Sequence, residues 1–300
     1  MSQLTRNLEV LATSSSWGYQ LDGASAAEPA ALACLALACH GRHEMARLPA
    51  QWLVDIQASD GSVGVNATQS APAWPTSLAI LAWNQFESTS GRNEFSSASE
   101  KAIRWSLEAR GKTAIQQAHV GHDTMLNGWS WAADTHAWVE PTCMFVMALK
   151  ASGHMQHERT REAVRLIVDR LLPAGGCNYG NTIVLGQELL PHVQPTGLAM
   201  LALAGETSTD PRVQKSLNYL EQQLSEGTST TSLCYGLLGL AAHARHPKRA
   251  ASWLEDAAKR LEQLGPSSYK RALLSLAACP ELSWLLPTKP STLSAGAHVS

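Results

Sequence analysis

The sequence predicts an all-α protein: one α/α toroid in which six helical hairpins close into an α6–α6 double barrel. Three observations predict it. A short phrase recurs along the chain, apolar runs alternate with amphipathic segments, and the longest loops all enter the apolar runs. Self-similarity at intervals of tens of residues is the mark of a repeat architecture.

The phrase is a Pro, a small residue and then an Ala/Leu-rich run. It occurs as Glu28-Pro29-Ala30 before 31–39, as Trp74-Pro75-Thr76 before 77–83, as Glu140-Pro141-Thr142 before 143–151 and as Gln194-Pro195-Thr196 before 197–205. Copies without Pro follow at 231–244 and 269–278. The Pro-to-Pro intervals of 46, 66 and 54 residues each fit one helical hairpin plus a loop of variable length. Pro at the first helical position sacrifices no hydrogen bond, so each phrase reads as a helix start. The runs are apolar on all sides, and such helices must be buried all round.

Segments 2–13, 43–57, 97–111, 156–173, 210–224 and 247–265 differ in kind, with apolar residues at helical spacing and charges opposite. Asp210-Pro211 reads as a start signal and Gly265 as a stop. Six amphipathic helices around six apolar ones give the double barrel; an open helical solenoid is the alternative. Residues 1–287 form the expected domain, and the polar tail 288–300 is expected to be disordered. The loops 14–27, 58–73, 112–139 and 174–193 are long, and long loops in a compact domain usually carry function. In a toroid they share one face, and the site is expected there.

A chain of 300 residues with 45% hydrophobic content builds a sizeable core. With 16% charged residues and a net charge of −2, no basic surface for nucleic acid is expected. No apolar run reaches the roughly 18 residues of a membrane span, and the first residues lack a signal pattern, so a cytoplasmic location is expected. Cys34, Cys39, Cys143, Cys177, Cys234 and Cys279 form no CxxC pair and read as buried thiols.

The loops carry a resemblance. Trp52-Leu53, Gln57, Asp60-Gly61-Ser62 and Gly64 resemble the QW repeat of squalene–hopene and oxidosqualene cyclases, with Val63 in place of the final aromatic. Degenerate copies occur at Ser16-Trp17-Gly18-Tyr19, Asn127-Gly128-Trp129-Ser130-Trp131 and 175–181. The resemblance spans about residues 1–285 and implies the terpene cyclase and protein prenyltransferase superfamily, which also includes thioester-containing complement domains. Class II cyclases protonate an alkene with an Asp-x-Asp-Asp-Thr motif at an inner-helix start. Trp138-Val139-Glu140-Pro141-Thr142 stands at that place, with Glu140 on the middle acid and Trp138 and Pro141 replacing the outer two. The Asp-x-Cys zinc pair of the prenyltransferases is not reproduced around Cys143 or Cys234, and the Gly-Cys-Gly-Glu-Gln thioester motif is missing. No metal or cofactor is expected.

Glu28 and Gln194 occupy the repeat position of Glu140, so all three are expected to face one mouth. Two carboxyls sharing a mouth raise one pKa and make a general acid; the plainer reading is three helix-start residues that solvate the barrel end. Among the loop acids Asp22, Asp60, Asp123 and Asp134, each a turn former by default, Asp134 is the best second acid. Trp17, Tyr19, Trp74, Trp129, Trp131, Trp138 and Tyr179 cluster in the same loops, and ten Trp against three Phe exceeds ordinary core filling. They are read as substrate walls, each able to stabilise a cation by about 0.5–2 kcal/mol; for Trp17 and Trp129, stacking on helix ends is the competing reading. His122 and His136 in the third loop are further acid–base candidates.

The expected function is an enzyme of the cyclase type, an isomerase or lyase, acting on an isoprenoid or other apolar small molecule in a central cavity or at a homodimer interface. Acid-initiated cyclisation with Glu140 as donor is the expected mechanism. A non-catalytic toroid that binds a lipid or peptide, and a carbohydrate-active α/α barrel using Glu28 and Glu140 as a carboxylate pair, remain open beside it.

Overall fold

A computed structural model describes residues 2–20, 23–117, 120–279 and 282–285. Asp22 and the tail 288–300 lie outside the described residues.

Among the described residues, twelve α-helices alternate between an outer and an inner ring. The outer helices are α1 (Gln3–Thr13), α3 (His43–Asp55), α5 (Ser96–Glu108), α7 (Glu158–Asp169), α9 (Pro211–Gln223) and α11 (Ala250–Leu264). The inner ones are α2 (Ala27–Cys39), α4 (Thr76–Ser90), α6 (Val139–Ala151), α8 (Val193–Ala202), α10 (Thr230–Ala241) and α12 (Ser268–Ala277). Each inner helix packs on the next, and α12 returns to α2. The ring is therefore closed, which makes the chain an α/α toroid and excludes the open solenoid. One small hairpin, β1 (Ile183–Val184) with β2 (Gln187–Glu188), decorates the fourth loop.

The inner helices close because they are apolar all round and small. Leu35, Leu37, Ile80, Leu81, Phe145 and Leu149 are fully buried, each contributing about 1.5–3 kcal/mol. The tightest crossing joins α8 to α10, where a Cβ on Gly197 would lie 2.4 Å from the Tyr235 carbonyl oxygen. The outer helices bury one face each, as their amphipathic pattern requires. Asp210 caps α9 by accepting from the Arg212 N–H at 2.9 Å, with Pro211 in the first turn, and Gly265 ends α11.

The prolines sit differently from the expectation. Pro29, Pro141 and Pro195 are third residues of α2, α6 and α8, and Pro75 immediately precedes α4. The first four N–H groups of a helix have no intrahelical partner, so the third position tolerates Pro as well as the first. The shift places Glu28, Glu140 and Gln194 at the second helical residue.

The loops are tied to the inner helices by a repeated bracket. The buried Thr76, Thr142 and Thr196 hydroxyls accept the N–H groups of Val63, Trp129 and Cys177 at 2.8, 3.0 and 3.0 Å. The carbonyls of Trp17, Trp129 and Cys177 accept from Ala26, Trp138 and His192, the residues just before α2, α6 and α8. Neighbouring repeats are clasped too: the Ala27 N–H donates to Val65 and the Val139 N–H to Tyr179, both at 2.9 Å. The second and fourth loops also dock on the following outer helix. Gly61 (φ +96°) and Gly175 (φ +98°) press against the backbone of Lys101 and Lys215, where a Cβ would clash at 2.4 and 2.5 Å. Trp17, Val63, Trp129 and Cys177 thus hold one equivalent, buried position in four loops.

The C-terminal end of the barrel is sealed. His40 Nε2 meets the Ser275 carbonyl at 2.9 Å, His243 Nε2 the Met200 carbonyl at 2.8 Å, and Lys150 Nζ donates to the Ala202 carbonyl at 3.0 Å. After α12 delivers the chain to this end, Trp284 and Leu285 are buried against α2, α4 and α6 and plug it. No disulfide forms among the described residues, and five of the six cysteines are buried.

Candidate active site

The N-terminal ends of the inner helices form the opposite mouth, and five of the six contribute to one polar cluster. Glu28 (α2), Glu140 (α6), Gln194 (α8) and Tyr269 (α12) each occupy the second residue of their helix, and Tyr235 stands one turn deeper on α10. The Glu140 carboxyl is buried, and its Oε1 accepts from Gln194 Nε2 at 2.9 Å. Glu28 Oε2 accepts the Tyr19 hydroxyl at 2.5 Å, and the Tyr19 ring packs on Tyr269 with centroids 5.4 Å apart.

A carboxylate at a helix N-terminus is ordinarily stabilised by the dipole. Here burial wins. Desolvation pushes Glu140 up to about 7 against the opposing hydrogen bond from Gln194. It pushes Glu28 up to about 7 as well, against the bond from Tyr19, and the negative charge of Glu140 adds to the rise. The charge of Glu140 therefore reaches Glu28, and each carboxyl is about half protonated near neutrality. The same burial raises Tyr19, Tyr235 and Tyr269, and Tyr235 feels both glutamates.

The aromatic candidates separate into groups. Trp17 and Trp129 are buried at the equivalent loop position that Val63 and Cys177 fill elsewhere. Trp129 stacks on Phe145 at 4.9 Å, takes the Arg159 guanidinium over its other face at 4.3 Å and donates Nε1–H to the Ser106 carbonyl. Trp74 and Trp131 meet edge to face at 4.8 Å and, with Trp105 and Phe145, line a cavity of about 440 Å³ that the edge of Trp129 also borders. Trp138 lies against His136 at 4.6 Å, and Tyr179 against His192 at 5.2 Å. Tyr19 alone among the predicted aromatics hydrogen-bonds a mouth carboxylate.

Asp134 is not brought into the carboxyl pair. Its side chain is 86% exposed, its backbone is left-handed (φ 62°) and its Oδ1 lies 3.6 Å from Lys112 Nζ. Asp60 and Asp123 are turn formers, accepting from the Ser62 and Met125 N–H groups. No group of three metal-binding side chains occurs among the described residues. No helix described is long and apolar enough to cross a membrane.

Sequence reading missed Tyr235 and Tyr269. Both lie in the two copies that lack Pro, so their alignment with Glu28 and Glu140 is hidden. Tyr269 stands at the second helical residue, the position of the acids, and that register is its signal.

No known family profile matches the chain, and no curated protein does. Solved structures with the same fold are found. A type II terpene cyclase from Scytonema, in complex with its product merosterolic acid A, aligns with a TM-score of 0.58 at 12% identity, over 92% of this chain and 96% of that one. A glycosidase in complex with glucose aligns with a TM-score of 0.60 at 8% identity, over 95% and 97%. The α-2-macroglobulin of Salmonella aligns at 0.57 and 13% identity, over 94% of this chain, which spans 17% of that protein. At these identities the likeness establishes the fold. The class is the α/α toroid, a fold that hosts cyclase, glycosidase and macroglobulin domains alike.

Proposed function

We propose that this toroid is an enzyme that opens its reaction by proton transfer from Glu140 to an isoprenoid or similarly apolar substrate, in the manner of type II terpene cyclisation. The observation that carries the reading is the pair Glu28 and Glu140 at one mouth, Glu140 buried and Glu28 half-buried, both raised to about 7 and so each partly protonated at neutral pH. Gln194 fixes Glu140 Oε1 as an acceptor, which leaves Oε2 to carry the proton. Donation of that proton to an alkene carbon leaves a carbocation on the substrate and a carboxylate on Glu140; loss of a substrate proton, or addition of water, ends the reaction. The edge-to-face pair Trp74 and Trp131, with Trp105, lines a neighbouring cavity whose lining does not include Glu140 and offers ring faces suited to a hydrocarbon chain. The loop turns similar to QW repeats and the terpene cyclase neighbour support the same substrate class.

A second reading has its own observation. Tyr19, Tyr235, Tyr269 and Gln194 surround the two carboxyls with polar groups, an environment that suits a sugar, and the glycosidase aligns as well as the cyclase. In that reading Glu28 and Glu140 form an acid–base pair on a glycosidic bond.

Both are tested by incubating purified protein with geranyl, farnesyl and geranylgeranyl diphosphates and with squalene, with and without Mg2+, and separately with nitrophenyl glycosides. A cyclised or hydrated product that mass spectrometry finds for wild type and loses in Glu140→Gln supports the first reading. Nitrophenol release lost in the same variant supports the second. Turnover of neither panel counts against both and favours a binding toroid.

A further inference from the structure

The third and fourth loops grip one another away from the acid pair. An ideal Cβ on Gly121 would fall 2.4 Å from Ile183 Cδ1, and His122 Nδ1 lies 3.5 Å from the Thr182 hydroxyl. Between these loops opens a cavity of about 730 Å³, within the range of small-molecule sites.

The cavity lining combines two kinds of side chain. Val120, Leu126, Ile183, Val184 and Leu185 supply apolar wall. Leu185 is 97% exposed and sits at φ 50° in the Leu185-Gly186 turn joining β1 to β2. A left-handed Leu costs about 1–2 kcal/mol, and at this exposure it recovers nothing from burial. The same lining carries N–H donors: Lys112, His122, His136, Arg170 and Asn181. Burial and the neighbouring Arg170 push His122 down to about 4, so its ring is neutral and keeps one donor and one acceptor. The Arg170 side chain is 6% exposed, held by the Asp123 carbonyl at 3.2 Å from both terminal nitrogens and by the Asp169 carboxylate. Burial works against its positive charge. Asp134 is the one carboxylate in the lining, and it faces Lys112. Two cations, Lys112 paired with Asp134 and Arg170 paired with Asp169, thus stand in one lining with five aliphatic side chains.

We propose that this cavity is a second ligand site, which binds an amphipathic anion: a carboxylate or phosphate monoester on a short apolar body. The head faces Lys112 and Arg170, and the body lies along Ile183, Val184 and Leu185. The site is separate from Glu28 and Glu140 and stands whether or not those residues catalyse.

The test is calorimetric titration of the full chain with decanoate, decyl phosphate, decanol and inorganic phosphate. Saturable binding of at least one amphiphilic anion, about tenfold tighter than decanol or inorganic phosphate, is expected. Lys112→Glu, an exposed change, is expected to weaken the anion about tenfold and to spare decanol. Val184→Asp is expected to weaken both, and Glu140→Gln to change neither; thermal melts confirm that each variant is folded. Equal affinity for decanol and both anions, affinity unmoved in folded Lys112→Glu and Val184→Asp, or binding lost in Glu140→Gln would each overturn the proposal.

Discussion

The two ends of the inner barrel are built from the same six helices and have opposite chemistry. At the N-terminal mouth, two carboxyls stand where helix dipoles favour negative charge, yet desolvation raises both to about 7. At the C-terminal end, Lys150 stands where the dipoles favour a cation, and it is paired: Glu206 lies 3.1 Å away, itself 2.7 Å from Arg161. Carbonyls there are capped by side chains, and Trp284 fills the bore. One end pairs its cation and closes; the other leaves two partly protonated carboxyls at its mouth. The difference teaches that the fold spends its charge pairing on the sealed end and keeps its perturbed groups at the open one, which is where a function is expected.

The sharpest way to break this comparison is at the mouth. Glu140→Gln is expected to lower turnover of the true substrate by about 10²–10⁴-fold, the usual worth of a general acid, with the fold intact by circular dichroism. An equal loss in Lys150→Met would erase the distinction between the ends.

At the sealed end the expected effects are on stability. Trp284→Ala empties the plug and is expected to cost about 3–5 kcal/mol in urea denaturation. Lys150→Met leaves the nearly buried Glu206 with Arg161 alone and is expected to cost about 3 kcal/mol. Turnover at a temperature where both variants stay folded is expected to be near that of wild type.

The pH dependence carries the opposite sign at the mouth. The folded pKa of Glu140, about 7, exceeds its ordinary 4.5. Its contribution to stability is therefore fully present below about pH 4.5 and is lost as pH rises through 7, because the unfolded chain releases the proton first. Glu140→Gln is expected to be more stable than wild type at pH 8, by on the order of 2–3 kcal/mol, and indifferent at pH 4. Denaturation midpoints at the two pH values check it; a variant less stable at pH 8 would sink the assignment. The smallest effect is expected from Thr142→Val, which removes the bracket to Trp129 and costs about 1–2 kcal/mol.

Thr142 matches the last residue of the cyclase motif, and Thr76 and Thr196 make the same bond in sister repeats, so the residue is a bracket. Trp17 and Trp129 occupy the position of Val63 and Cys177, and their rings serve the core. Glu28, Glu140 and Gln194 were found because a repeat position carries a register, and a register survives folding. Tyr235 and Tyr269 escaped because their copies lost the Pro that marks it. The plug at Trp284 escaped because three residues after the last helix carry no periodicity.

By itself the sequence determined the helices, their alternation and the end of the barrel at which Glu28, Glu140 and Gln194 emerge. Those are properties of local pattern: an all-apolar run must be buried, and equivalent positions in a repeat recur on one face. Closure of the ring, the depth of the two carboxyls and the facing of Tyr19, Tyr235 and Tyr269 around them were decided only by the tertiary structure. A carboxyl's proton affinity depends on how much water the neighbouring elements exclude, and those elements lie far apart in the chain.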